Sequence, residues 1–130
     1  QAGWDWFSLQ LEDGRNLMYY QLRRQDGSVD PHSAGSLSDN QGLQARLDPT
    51  TVTITPLAYW QADDRRYPIE WRMQLAGEPN PWRIRALLAD QEMRTSVRYW
   101  EGAVEVIDEP TDAFLGRGYL EMAGYGPVTE

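Results

Sequence analysis

The sequence predicts an all-β fold in which antiparallel strands form a barrel or a sandwich. Hydrophobic and polar residues alternate along most of the chain, and short turn signals separate the alternating segments. The best helical candidate, Leu87–Thr95, would cover about two turns and fits a loop equally well. About eight short strands at close spacing are typical of an antiparallel barrel or sandwich.

The first two strands are predicted to form a hairpin. Trp4–Leu11 and Leu17–Arg23 alternate on either side of Asp13 and Gly14, and an Asp-Gly pair between two such segments is a strong hairpin signal. We therefore expect Gly14 to adopt a positive φ. The polar stretch 30–42 follows, and it is predicted to be a loop with one short strand near Ala34–Ser38.

The remaining strands are marked by alternation or by β-branched residues. The loop at 77–81 would pair two of them, so that Arg72 and Arg83 share a solvated face while Trp71 and Trp82 point inward. The predicted ranges are Thr51–Thr55, Tyr67–Leu75, Trp82–Leu88, Val97–Ile107 and Gly118–Tyr125.

Composition excludes several classes of function. The 130 residues suffice for one domain with a single core. Acidic residues outnumber basic ones by 20 to 12, and the net charge of −8 argues against a nucleic-acid or anionic-lipid partner. The chain has no cysteine and one histidine, His32, in a polar loop, so we expect no metal and no other cofactor. The printed residues contain no apolar run of the roughly 20 residues that cross a bilayer, and we expect no signal peptide among them.

Two glutamates are candidate catalytic residues. Glu101 shares a strand face with Tyr99, and Glu121 shares one with Tyr119. If their strands are antiparallel neighbours, the two Tyr-x-Glu motifs lie close together. A carboxyl group among aromatic rings tends to keep its proton, which suits a general acid. The alternative is that both glutamates face solvent and pair with arginines such as Arg98 or Arg117.

Asp5 is the third candidate catalytic residue. It lies between Trp4 and Trp6 and shares a face with Phe7 and Leu9. This position makes it either a partly buried acid or a residue at the rim of the barrel.

Aromatic residues on nearly every predicted strand supply the candidate ligand-binding set. The interior of an eight-stranded barrel can hold one small ligand. The alternative is that these side chains only fill the core. The candidates are Trp4, Trp6, Tyr20, Trp71, Trp82, Tyr99 and Tyr119.

Several motifs together resemble the second half of one protein family. They occur in order, with compatible spacing, over nearly the whole chain. They are Gly3–Leu11, Asp13–Arg15, Leu17–Met18, Tyr20–Arg23, Tyr67–Trp71, Leu87–Glu92, Tyr99–Val104 and Gly116–Tyr125. The family is the AttH/CrtC-like proteins, also called the lipocalin-like hydroxyneurosporene synthase family.

The resemblance implies that residues 1–130 form a single lipocalin-like β-barrel, the C-terminal one of two tandem domains. The chain begins at Gln1 rather than Met, so we expect a piece of a longer protein whose N-terminal domain is a partner. Bacterial family members are labelled predicted secreted hydrolases or lie beside ABC-transporter genes. The resemblance therefore implies a location in the bacterial cell envelope or periplasm, and an association with an ABC transporter.

Three functions remain open at this point. The first is binding of a hydrophobic small molecule, isoprenoid or lipid-like, by an AttH-type envelope protein. The second is the catalytic half of a carotenoid 1,2-hydratase-like enzyme, which protonates an alkene and adds water to the carbocation beside aromatic faces. The third is a structural domain of a transporter-associated protein. In the family a His-Glu-Trp-like segment precedes the Trp4–Trp6 strand, so a catalytic site would be incomplete in this chain.

Overall fold

The computed structural model describes residues 2–95 and 98–126, and the regular structure in these ranges is β. No helix long and apolar enough to cross a membrane occurs among them. The ten strands are β1 (Gly3–Leu11), β2 (Asn16–Arg23), β3 (Ala34–Ser38), β4 (Gln44–Leu47), β5 (Val52–Ala62), β6 (Arg65–Leu75), β7 (Trp82–Ala86), β8 (Glu92–Arg94), β9 (Arg98–Asp108) and β10 (Phe114–Ala123).

All ten strands belong to one antiparallel sheet that curls into a half-barrel. The strand order is β4-β3-β2-β1-β10-β9-β7-β6-β5, and β8 pairs with β9 beside this path. The first and last long strands of the chain, β1 and β10, are neighbours at the centre of the order. The predicted all-β antiparallel fold is therefore confirmed, with ten strands instead of about eight.

The two strands that were not predicted are short and lack alternation. In β4 only Leu47 is buried, so the sequence of this strand resembles that of a polar loop. Strand β8 lies inside the segment considered as a helix or a loop. Strand β5 continues past Pro56, where its register with β6 shifts. Proline is tolerated there because β5 lies at the end of the strand order and, among the described strands, pairs with β6 alone. The predicted strand start at Val97 lies outside the described residues.

The predicted hairpin between β1 and β2 is confirmed. Gly14 has φ +94°, and its amide donates to the carbonyl of Leu11 at 3.0 Å. A Cβ atom on Gly14 would lie 2.8 Å from that of Asn40, so this turn needs glycine for both conformation and space.

Alternation places one face of each long strand in a common core. Trp71 and Trp82 are 1% and 3% exposed, as predicted. The ring of Phe7 meets Trp71 edge-on, with centroids 5.5 Å apart. On the opposite face of β6 and β7, Arg83 pairs with Glu70 at 3.2 Å, so the predicted charged face is also confirmed.

We expect Trp71→Ala to lower the free energy of unfolding by about 3–5 kcal/mol, because it removes a large side chain from a packed core. Chemical denaturation of the purified domain measures the change. Leu43→Ala is the control, since Leu43 is 70% exposed and its loss should cost less than about 0.5 kcal/mol. Equal losses in the two variants would contradict this description of the core.

Candidate functional site

Strands β9 and β10 bring the two candidate glutamates together. The strands are antiparallel neighbours, as predicted, and Glu121 lies directly opposite Glu101. Both side chains are half-buried and point to the outer face, which we define as the side of β2, β1, β10 and β9 turned away from the core. Arg98, one arginine considered as their partner, binds Glu92 at 2.6 Å and Asp63 at 3.3 Å instead.

The outer face carries an apolar groove, which we call the outer groove. One lateral row across the sheet is Tyr20, Trp6, Glu121 and Glu101, in the order β2, β1, β10, β9. The groove has a volume of about 420 Å³. Its lining residues are Trp4, Trp6, Met18, Tyr20, Leu22 and Glu121.

A second depression of about 260 Å³ continues the groove towards Tyr119. Trp6 is 43% exposed and Tyr119 is 48% exposed, so large aromatic surfaces face solvent here. Contiguous apolar surface of this kind marks an interaction site more often than isolated exposed residues do.

Polar contacts in the groove hold a carboxylate beside the aromatic rings. The indole Nε1 of Trp4 donates to Oε2 of Glu121 at 3.0 Å, which orients the carboxylate. Burial, together with the charges of Glu101 and Glu121, raises the pKa of Tyr119 from its ordinary value of 10.0. The site can therefore hold a mainly apolar molecule and offer it one acid–base group.

Asp5 lies on the other side of β1, where it is fully buried at the end of the core. Its Oδ2 accepts from Arg23 Nε at 3.0 Å and from Gln21 Nε2 at 3.1 Å, and its Oδ1 accepts from the Tyr125 hydroxyl at 2.6 Å. We call these four residues the Asp5 cluster. Burial raises the pKa of the Asp5 carboxyl, and the Arg23 charge and the bond from Tyr125 oppose part of that rise.

The structure thus divides the predicted site residues between two faces. Glu101 and Glu121 lie on the outer face, and Asp5 lies on the core face, so the three candidate acids do not form one centre. Trp4, Trp6, Tyr20, Tyr99 and Tyr119 accompany the glutamates. Trp71 and Trp82 pack in the core, where the indole Nε1 of Trp71 has no hydrogen-bond partner among the described residues.

The family model for AttH-like proteins matches residues 1–125. The chain belongs to the AttH-like family. This domain superimposes on a candidate AttH protein from Nitrosomonas europaea with a TM-score of 0.84 and 34% identity over 96% of its length. Kievitone hydratase from Nectria haematococca gives a TM-score of 0.73 at 14% identity over 97% of this chain, a likeness of fold alone. No curated protein sequence matches significantly.

The AttH-like domain spans 39% and 40% of the lengths of these two structures. The lipocalin-like fold expected from the sequence motifs is confirmed by them. Among the described residues, no group of three or more His, Asp or Glu side chains could hold a metal ion.

A second buried polar cluster in the AttH-like domain was not predicted. Glu92 in β8 accepts from the Tyr67 hydroxyl at 2.7 Å and from Arg98 at 2.6 Å. Burial alone would raise the pKa of Glu92, but the hydrogen bonds from Arg98 and Tyr67 outweigh it, so the pKa is lowered. Glu92 belongs to the segment Leu87–Thr95, which the sequence left open as a helix or a loop, and Tyr125 ends the last predicted strand. Neither position carries a local signal of burial.

We expect Glu92→Gln to lower the free energy of unfolding at pH 7 by about 1.5–3 kcal/mol, because a charge-assisted bond inside the domain is lost. Because the pKa of Glu92 is lowered on folding, its carboxylate stabilises the domain at pH values above its ordinary pKa of 4.5. This contribution disappears as the pH falls through the pKa of the folded state. Wild type and variant should therefore converge in acid.

Denaturation at a series of pH values measures this difference. Glu105→Gln is the matched control, because Glu105 pairs with the exposed Arg85 at 2.7 Å, and such surface pairs contribute less than about 1 kcal/mol. A Glu92 variant whose loss of stability is constant from pH 7 to acid would contradict the assignment.

Proposed function

We propose that this AttH-like domain binds a hydrophobic small molecule of isoprenoid or lipid-like type in the outer groove. The supporting observation is the row of exposed aromatic and apolar side chains around Glu121, in a groove of about 420 Å³. Covering apolar surface yields about 25 cal/mol per Å² removed from water, so an elongated apolar ligand gains affinity along the whole groove. Flat indole and phenol rings suit a chain of conjugated or isolated double bonds.

The rest of a longer parent protein would complete this site. The domain spans about two fifths of the related structures, and its groove is an open wall rather than a closed cavity. In this proposal the N-terminal domain of the parent protein forms the facing wall. The isolated domain then binds the same ligand more weakly than the whole protein.

Equilibrium dialysis with farnesol, an isoprenoid alcohol, tests the binding proposal. Trp6→Ala should weaken farnesol binding by about tenfold or more, since a central aromatic residue carries a large share of the contact. The change should leave stability nearly unaffected because Trp6 is half-exposed.

Tyr59→Ala is the matched control, because Tyr59 is similarly exposed, at 47%, but lies on β5 outside the groove. The control should bind farnesol like wild type. Equal binding by Trp6→Ala and wild type would rule out the groove as the site.

A second candidate function, alkene hydration, is favoured by the carboxyl group of Glu121 in the groove. A protonated Glu121 would transfer its proton to the less substituted alkene carbon, and the positive charge would form on the tertiary carbon beside the Trp6 face. Water would then add to that carbon and return a proton to the carboxylate, giving a tertiary alcohol. Trp4 would act as a positioning residue, because its indole holds the Glu121 carboxylate.

Incubation of the longer parent protein, in which the site would be complete, with farnesol in oxygen-18 water tests hydration, and the domain alone is incubated in parallel. The expected product is heavier than farnesol by one molecule of labelled water, and Glu121→Gln should abolish it while farnesol still binds. Glu105→Gln, on the same face outside the groove, should retain activity. Product formation by Glu121→Gln at the wild-type rate would exclude Glu121 as the acid, and bound farnesol without any product would support binding alone.

A further inference from the structure

Tyr125 is held by the rest of the domain in the way a small phenol would be held. Its hydroxyl donates to Asp5 Oδ1 at 2.6 Å. The Arg23 guanidinium lies 4.0 Å from the centre of its ring, and the Tyr67 ring packs against it with centroids 5.7 Å apart. An acceptor for the hydroxyl, a cation over the ring and a second aromatic ring together recognise each part of a phenol.

The walls of this pocket are held in place by contacts that do not involve Tyr125. Asp5 is bound by Arg23 and Gln21 through its other oxygen. Tyr67 donates its hydroxyl to the buried Glu92. These contacts would hold the recognition groups in the same positions without the Tyr125 ring, and such preorganisation favours binding of a replacement.

Tyr125 follows the end of the sheet, so it can leave the pocket without separating strands. Strand β10 ends at Ala123, and Gly124 turns the chain with φ +85°. A Cβ atom on Gly124 would lie 2.2 Å from the carbonyl oxygen of Ala2, so this turn requires glycine. Apart from the contacts of its ring and hydroxyl, Tyr125 accepts one hydrogen bond at its backbone carbonyl, from Nη1 of Arg65 at 2.7 Å.

We propose that Asp5, Arg23, Gln21 and Tyr67 form a binding site for small para-substituted phenols, which Tyr125 occupies as an internal ligand. An incoming phenol replaces the Tyr125 ring, donates its hydroxyl to Asp5 and lies under Arg23. The site is separate from the outer groove, since Asp5 projects from β1 on the side opposite to Trp4 and Trp6. The inference therefore does not depend on the proposed function.

Two properties follow from this arrangement. Tyr125 competes with an external phenol for the site. The apparent affinity for the phenol is therefore its intrinsic affinity multiplied by the fraction of molecules in which Tyr125 has left the site. Removing the Tyr125 ring therefore strengthens phenol binding. A ring without a hydroxyl leaves the buried Asp5 oxygen without its donor, so the site discriminates against toluene.

Binding of p-cresol and toluene to wild type and to Tyr125→Ala, followed by ligand-observed NMR, tests the proposal. We expect p-cresol to bind Tyr125→Ala at least about tenfold more tightly than wild type. We expect toluene to bind that variant at least about tenfold more weakly than p-cresol. Phe114→Ala is the control, because Phe114 is exposed at the opposite end of β10, and this variant should bind p-cresol like wild type.

Equal affinities of Tyr125→Ala for p-cresol and toluene would show an apolar cavity without recognition of the hydroxyl, and would overturn the proposal. The absence of p-cresol binding to Tyr125→Ala would overturn it as well. If Tyr125→Ala does not fold, Tyr125→Phe replaces it, because it keeps the ring and loses only the bond to Asp5. Tyr125→Phe should bind p-cresol more tightly than wild type, and an unchanged affinity would overturn the proposal.

Discussion

The alternation of side chains along β1 is the constraint on which the rest of the domain depends. β1 lies between β2 and β10, and its register with both is unbroken from Trp4 to Gln10. Because successive residues must point to opposite faces, Trp4 and Trp6 are directed outward by the same geometry that buries Asp5 and Phe7. A register slip of one residue would exchange the two faces and bury an indole in place of the carboxylate. The two sites described above are consequences of this single pattern.

The outer surface is divided into a charged part and an apolar part. Across β6, β7 and β9, opposite charges pair, as in Glu70 with Arg83 and Arg85 with Glu105. Across β2, β1 and β10, aromatic rings and methionine take those positions, around Glu121. Folded proteins expose much apolar surface, so it is the contiguity of this apolar part that needs an explanation. The binding proposal offers one explanation: an apolar partner, either a ligand or another part of a longer protein, would cover this surface.

Local pattern predicted most strands, because burial of one face leaves a period of two in the sequence, and with the turn signals it predicted three of the pairings: β1 with β2, β6 with β7 and β9 with β10. It placed Trp71 and Trp82 in the core, and it brought Glu101 opposite Glu121. It could not assign the glutamates to a face, because both faces of β9 carry an aromatic residue, Tyr99 on one and Trp100 on the other, and either could have been the core. It also missed the partners of Asp5: Tyr125 is 120 positions away, and no periodic signal links residues across that distance.

Trp4 connects the two faces physically. Its indole orients Glu121 in the outer groove, while its backbone carbonyl accepts from Arg23 Nη2 at 3.4 Å in the Asp5 cluster. The second contact is long and involves the main chain of a strand that is paired on both sides, so it cannot shift without disturbing β2 and β10. Replacement of the Tyr125 ring beside Asp5 would therefore not be transmitted to the outer groove through a shift of β1. The central strand separates the two sites as firmly as it positions them, and each can be described by the contacts on its own face.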